Sequence, residues 1–424
     1  MECAWGLLGA EFLPNSRRNR TLELGVSVRR FNDLAVPGLG GVWYGKQLLL
    51  ATLGVAVAEA ARDHGATVRN IEVANAIEAL ACWLAFKNNG WRSDARLRGN
   101  TKLKNKDDFK FQQARERNFY VSQPMRVATV QALPALGFVH SDSARFNAFR
   151  CSDQGRGFIE MATREFNKDV TAFLTQWVLG DKVKPLQLQS ALSPLEPLPK
   201  DAIRLLRERL IDGGNESHED KQRRANALAW VESLRTPKTA RPTWAQRPQT
   251  ITEEHWHDLH AGALFFATRE AAIVVLDVAE AHIENQPLSL CVEIPKGLKP
   301  SIEALKTAAH EYLQCAHTDK EAKTFCIECV NNDPLKILRS LVKRDGKVLR
   351  LVGDEVKSGS AFRGAQGTAE RSSADDDTQG TPQALDIHLP KGISYRMKNL
   401  YLFNLDMRNK LNEWLNLTAV EGQA

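Results

Sequence analysis

The chain has 424 residues, 43% of them hydrophobic, with 57 Lys and Arg against 51 Asp and Glu, a formal charge of +6. That length and apolar content exclude a disordered scaffold and suit two or three packed domains, while no window approaches 18 uninterrupted apolar residues, which argues against a membrane-spanning helix. Seven cysteines, with N-terminal basic residues that follow the apolar ones in the reverse of a secretory order, point to reduced thiols in a cytoplasmic protein.

An irregular start leads to a helix predicted over about residues 42–64, where the small residues of AVAEAA let a second helix come close. The sequence GGVWYGKQ, residues 40–47, imitates the phosphate loop G-x-x-x-x-G-K-[ST]. Gln47, however, stands where a hydroxyl must hold Mg²⁺, so the segment reads as a glycine-rich turn. A second helix, about residues 71–86, is apolar on more than one face and belongs in a core.

Between Phe86 and Val121 lie ten Lys or Arg and four acids, an excess equal to that of the whole chain. Such a concentrated cationic stretch is what a phosphate-contacting face requires, and Lys102, Lys104, Lys106, Lys110 and Arg115 are its candidate residues. FKFQQARERNFYV within it is expected to be helical. After the break Ser122-Gln123-Pro124, a further helix over about residues 123–133 places Val127, Val130 and Leu133 on one side. Gly137 ends that helix. Residues 138–139 begin a strand, SDSA supplies a turn, and residues 145–150 alternate before Ser152 and Asp153 cap a new helix.

A helix ending LGFV, then a hairpin whose second strand runs into a capped helix, resembles the winged-helix DNA-binding modules over about residues 70–165. The resemblance implies a reading helix carrying Gln123, Arg126 and Thr129 towards base edges, with His140 and Arg145 at the wing. Two features depart from the pattern: Pro134 interrupts the reading helix, and the helix before it is unusually charged.

Residues 184–249 shift to proline-punctuated, charged sequence, with two helices at about 201–211 and 219–234 and an extended connector. Thr250 and Glu253 form a capping-box pattern before a long helix reaching about Ile283. Beyond it, strands at 288–294, 323–330 and 347–352 alternate with helices at 300–313 and 333–343, the pattern of a small α/β unit with βαβ connections. Residues 357–384 read as a mobile loop, and a helix at about 395–417 closes the chain.

Three clusters in this half carry chemical possibilities. Cys315, His317, Cys326 and Cys329 are zinc-type donors, but in an extended strand Cys326 and Cys329 face opposite sides, so buried thiols are expected and no cofactor is assigned. His255, His257 and His260 read as surface or interface residues. Asp345 with Glu355 and Lys357 imitates a metal-dependent nuclease, with Glu293 and Lys296 a looser imitation.

The expected architecture is therefore α+β and mainly helical: an N-terminal helical region at 1–66, a winged-helix-like domain at 67–180, a helical linker at 181–249 and a C-terminal α/β domain with a small sheet at 250–424. The expected function is a non-catalytic adaptor that binds double-stranded DNA and docks other subunits through its C-terminal domain, with no membrane partner, in a DNA-processing or phage-defence assembly. The alternatives are the nuclease and a protein-interaction scaffold.

Overall fold

A computed structural model describes residues 20–106, 109–166, 169–181, 188–234, 242–284, 286–291, 293–364 and 387–421. In them the protein is α+β and mainly helical, with two small antiparallel sheets. The chain packs into two compact units, each discontinuous in sequence: residues 30–262 with 375–424, and residues 1–29 with 263–374.

The larger unit is built on the helices Gly45–Asp63 and Asn70–Asn88, both buried along most of their length. They touch backbone to backbone at Gly54, where a Cβ would stand 2.5 Å from that of Ala74. The first helix starts at the phosphate-loop imitation, and its own residues occupy the place an anion would take. Gln47 Oε1 accepts from the Trp43 and Tyr44 amides at 2.9 and 3.4 Å, the Asp406 carboxylate accepts from the Gly45 amide at 2.8 Å, and Lys46 Nζ donates to the Ala191 carbonyl at 2.8 Å. Burial brings the Lys46 ammonium down to about 8 and pushes the Asp406 carboxyl up to about 6.

Two predicted helices in this unit shrink to single turns. FKFQQARERNFYV is helical only over Phe111–Ala114, and residues 123–133 yield Arg126–Thr129 and Ala132–Ala135. The second break has a hydrogen-bonding cause: the Ala128 carbonyl, which the Ala132 amide would take in a continuous helix, accepts from Gly41 at 3.0 Å, and Pro134 has no N–H to offer Val130. The charged helices appear as Lys200–Asp212 and His218–Ser233, and the closing helix as two, Tyr395–Met407 and Leu411–Glu421. The long helix Glu253–Ile283 is capped at Thr252, whose hydroxyl accepts from the His255 amide at 3.2 Å, in place of the expected Thr250. His255 itself is fully buried, contrary to its expected surface position, and its Nε2 donates to the Ala35 carbonyl at 3.0 Å.

In the smaller unit the expected strand at 323–330 is the helix Lys320–Cys329. Asp319 caps it, and Ala322, Phe325, Cys326 and Cys329 recur at helical spacing and are buried. Among the described residues of 288–294 only Leu288–Ser289 pair, so the sheet runs Leu288–Ser289, Glu355–Ser358, Leu349–Val352, antiparallel throughout. A hairpin turn at Gly353, φ +62°, replaces the βαβ crossover. Asp345 ends the helix Pro334–Asp345, with Gly346 as its cap, and Lys357, expected to open a loop, lies in a strand. Residues 365–384 of the expected loop lie outside the described residues.

Arg20 is the pivot of this unit: 5% exposed, it forms ion pairs with Asp277, with Glu280 at 2.7 Å and with Asp345 at 3.3 Å. Replacing it strands three carboxylates. Arg20→Met is expected to cost on the order of 3–5 kcal/mol at pH 7, read as a shift in urea midpoint.

His255 yields a second expectation. Burial lowers its imidazole from 6.5 to about 4, so the stability it contributes is complete above pH 6.5 and lost as pH falls through 4. His255→Gln keeps a donor at the Nε2 position for Ala35 and cannot titrate. Urea titrations between pH 7 and 4 should show it losing less stability in acid than the parent, by an amount on the order of 3 kcal/mol.

Candidate nucleic-acid interface

The hairpin predicted after Gly137 forms, with Val139 opposite Cys151 and His140 opposite Arg150. Alternation gives it two faces: Val139 and Cys151 point inward and are buried, while His140 and Arg150 point outward and are exposed. Arg145 projects from the exposed tip just before the short 3₁₀ turn Phe146–Ala148. Arg156, 57% exposed, adds a fourth basic group from the first turns of the following helix, Asp153–Thr163.

The hairpin is held rigidly from below. Asn70, itself buried, donates from Nδ2 to the Phe146 and Phe149 carbonyls at 3.1 and 2.8 Å, and the Ile71 amide donates to Asn147 Oδ1 at 3.0 Å. Glu59 accepts from the Cys151 amide at 2.9 Å with one oxygen and pairs with Arg156 at 3.3 Å with the other. Ser152 works in both directions: its hydroxyl donates to the Gly137 carbonyl at 2.6 Å and accepts from the Gly155 amide at 3.0 Å, closing the hairpin and capping the helix. Gly155 lets that helix meet the strand, since a Cβ there would overlap the Phe138 carbonyl. Phe138 stacks on Phe158 at 4.8 Å beneath the sheet.

Two open clefts flank the outward pair His140 and Arg150. One, of 540 Å³, is bounded by Glu59, Asp63 and Arg156; the other, of 580 Å³, by Gln154, Arg209 and Asn215. Burial pushes the Cys151 thiol beside the first cleft up to about 12, so it stays protonated and is no nucleophile.

The structure gives several of the other candidate residues internal partners. Thr129 is fully buried and donates to the Arg126 carbonyl at 2.9 Å. Arg126 donates to Asn75 Oδ1 at 2.5 Å and lies over the Phe146 ring, and the Gln123 carbonyl accepts from Arg98 at 2.6 Å. Within the basic segment, Lys102 donates to the carbonyls of Asn118 and Tyr120, Arg115 pairs with Glu72 at 2.8 Å, and Lys106 covers the Phe119 ring. Lys104 and Lys110 are exposed. Sequence reasoning missed Arg150, Arg156 and Arg209. The first was legible, because two-residue alternation places it beside His140, and nothing local marks the third.

The nuclease and zinc candidates do not assemble. The Asp345 carboxylate faces Arg20 and accepts from the Val348 and Leu349 amides at 3.4 and 3.2 Å, whereas Glu355 and Lys357 pair with each other on exposed positions of their strand. Glu293 pairs with Lys299 rather than Lys296. Cys326 and Cys329 share a buried helical face, which pushes the Cys326 thiol up to about 12 and raises Cys329 as well, and the His317 ring accepts from the Asp319 amide at 3.1 Å. Among the described residues no group of three or more His, Cys, Asp or Glu is arranged to hold a metal. His257 stands 4.0 Å from Asp258, and His260 stacks on Trp244 at 4.9 Å. No helix among the described residues is long and apolar enough to cross a membrane.

Comparisons with protein-family models, curated proteins and solved structures return no match.

Because Ser152 ties hairpin and helix together, Ser152→Ala should lower stability by about 1–2 kcal/mol. Amide exchange should rise at Gly155 and along the 139–151 hairpin while the Asn70–Asn88 helix keeps its protection.

Proposed function

We propose that this chain is a non-catalytic nucleic-acid-binding protein that holds a DNA duplex on the outer face of its hairpin. One observation carries the reading. His140, Arg145 and Arg150 are exposed on a short hairpin whose inner side is locked to the core, and Arg156 is exposed on the helix that follows it. Guanidiniums presented this way suit phosphate oxygens, and a narrow two-stranded element fits against a groove or along a backbone. In this reading the wing makes the contact, since the predicted reading helix is broken and its side chains serve the fold; Lys104 and Lys110 extend the cationic surface. The smaller unit, with exposed Val26, Ile327 and Val352, is the part proposed to dock other subunits of an assembly.

Salt titration of duplex binding tests the reading, because each phosphate contact adds about 0.9 to the slope of log affinity against log salt. Arg145→Ala, Arg150→Ala and Arg156→Ala should each reduce that slope by about one. Lys102→Ala and Arg126→Ala, which remove internal bonds, should lower stability and leave the slope unchanged. Absence of binding at low salt, or a slope indifferent to the three hairpin-face variants, would sink the proposal.

A further inference from the structure

The 580 Å³ cleft beside the hairpin has a feature that ordinary surface cations lack. Arg209, in the last turn of the helix Lys200–Asp212, is half-buried, and its Nε donates to the Leu136 carbonyl at 2.8 Å. One edge of the guanidinium is thereby fixed, one terminal nitrogen lies against Gly137, and the exposed Asp212 carboxylate, paired with Lys221 at 3.0 Å, also feels its charge. Close backbone packing shapes the cleft around it. Gly137, φ +74°, lies where a Cβ would stand 2.5 Å from the Arg209 terminal nitrogen. Gly214, φ +51°, packs on the carbonyls of Pro134 and Ala135, where a Cβ would come within 2.5 Å. A side chain at Gly137 would crowd the guanidinium, and one at Gly214 would clash with the backbone beneath it.

His140 and Arg150 from the hairpin also line the cleft, with Gln154 and Asn215 as neutral polar groups. Two carboxylates, Asp142 and Asp153, also border it and formally balance the two arginines. Their placement decides the sign: Asp142 is 90% exposed and 3.8 Å from Arg150, and Asp153 is exposed, so solvent screens both, whereas the deeper Arg209 is screened least. The inner end of the cleft is therefore cationic and rich in donors.

We propose that this cleft binds the phosphate group of a nucleotide, gripped bidentately by Arg209 and from the hairpin side by Arg150. The proposal rests on the nucleic-acid reading and deepens it by naming a specific subsite. The phosphate can belong to a strand backbone or to a free mononucleotide, and the chemistry at Arg209 is the same for both.

The test uses the full chain with three probes: a short oligonucleotide, adenosine monophosphate and inorganic phosphate. Arg209→Lys keeps the positive charge and loses the planar two-nitrogen fork that a bidentate grip needs. It should weaken probe binding about tenfold with an unchanged melting curve; should it fail to fold, Arg150→Gln, at a side chain 68% exposed, is read with adenosine monophosphate and inorganic phosphate, which do not need the duplex-binding face, and is expected to weaken both. Both sources support the site: competition by the mononucleotide identifies a free nucleotide as a ligand, and a response confined to the oligonucleotide identifies the strand backbone. Unchanged affinity of folded Arg209→Lys for every probe overturns the inference. If the oligonucleotide then still loses affinity with Arg145→Ala and Arg156→Ala, the hairpin reading stands without the cleft; if the mononucleotide binds and duplex does not, the cleft stands without that reading.

Discussion

Buried arginines, each engaged by carbonyls or carboxylates from distant parts of the chain, are the interaction on which this architecture depends. In the larger unit Arg224, fully buried, donates to the Leu210 carbonyl at 2.7 Å and the Pro37 carbonyl at 3.0 Å and pairs with Glu216 at 2.5 Å. Arg396 bonds Asp33, the Val36 carbonyl and Gln131, so one guanidinium joins three segments. Arg223 gathers Glu219, Glu254 and Asp258, and Arg20 does the same for three acids in the smaller unit. Such groups add little net stability over a well-packed apolar substitute, because desolvation offsets the Coulomb gain. Their energetic weight lies in the asymmetry. A misplaced segment leaves a buried charge unpaired, so each arginine penalises alternative packings more than it rewards the native one.

This habit of the chain also explains why charge counting overstates its cationic surface. Of the ten basic residues between Phe86 and Val121, Arg96 forms a double bond set with Asp94, Arg98 holds the Gln123 carbonyl, Lys102 holds two carbonyls and Arg115 pairs with Glu72. They organise a segment whose described residues 89–121 otherwise form two single-turn helices, Asn100–Leu103 and Phe111–Ala114. A cation that satisfies a backbone carbonyl has less to offer a phosphate. The hairpin presents fewer charges but presents them outward, on a platform fixed by Asn70, Glu59 and Ser152.

The same logic of internal satisfaction runs through the near-motifs. At the phosphate-loop imitation, Gln47 and Asp406 hold the helix N-terminal amides that a phosphate would need. At the nuclease imitation, Arg20 and two backbone amides hold Asp345. In both places a partner from far away in the sequence claims a group that the motif's chemistry would need. Asp406 is 361 positions from Gly45, and Arg20 is more than 300 from Asp345.

What the sequence by itself determined is what short-range patterns encode. The two core helices, the hairpin after Gly137 and the cap at Ser152 follow from apolar periodicity, alternation and a side chain that reaches an amide three residues on. Tertiary structure decided whatever hinged on a competitor for a backbone or charged group: the Gly41 amide that splits the 126–135 segment, the burial that makes 320–329 a helix, and the carbonyl that orients Arg209. The reason is energetic. Local propensities differ by only about 1 kcal/mol per residue, whereas leaving a buried polar group unpaired costs about 1–3 kcal/mol, so a distant partner outweighs the local preference wherever the two conflict.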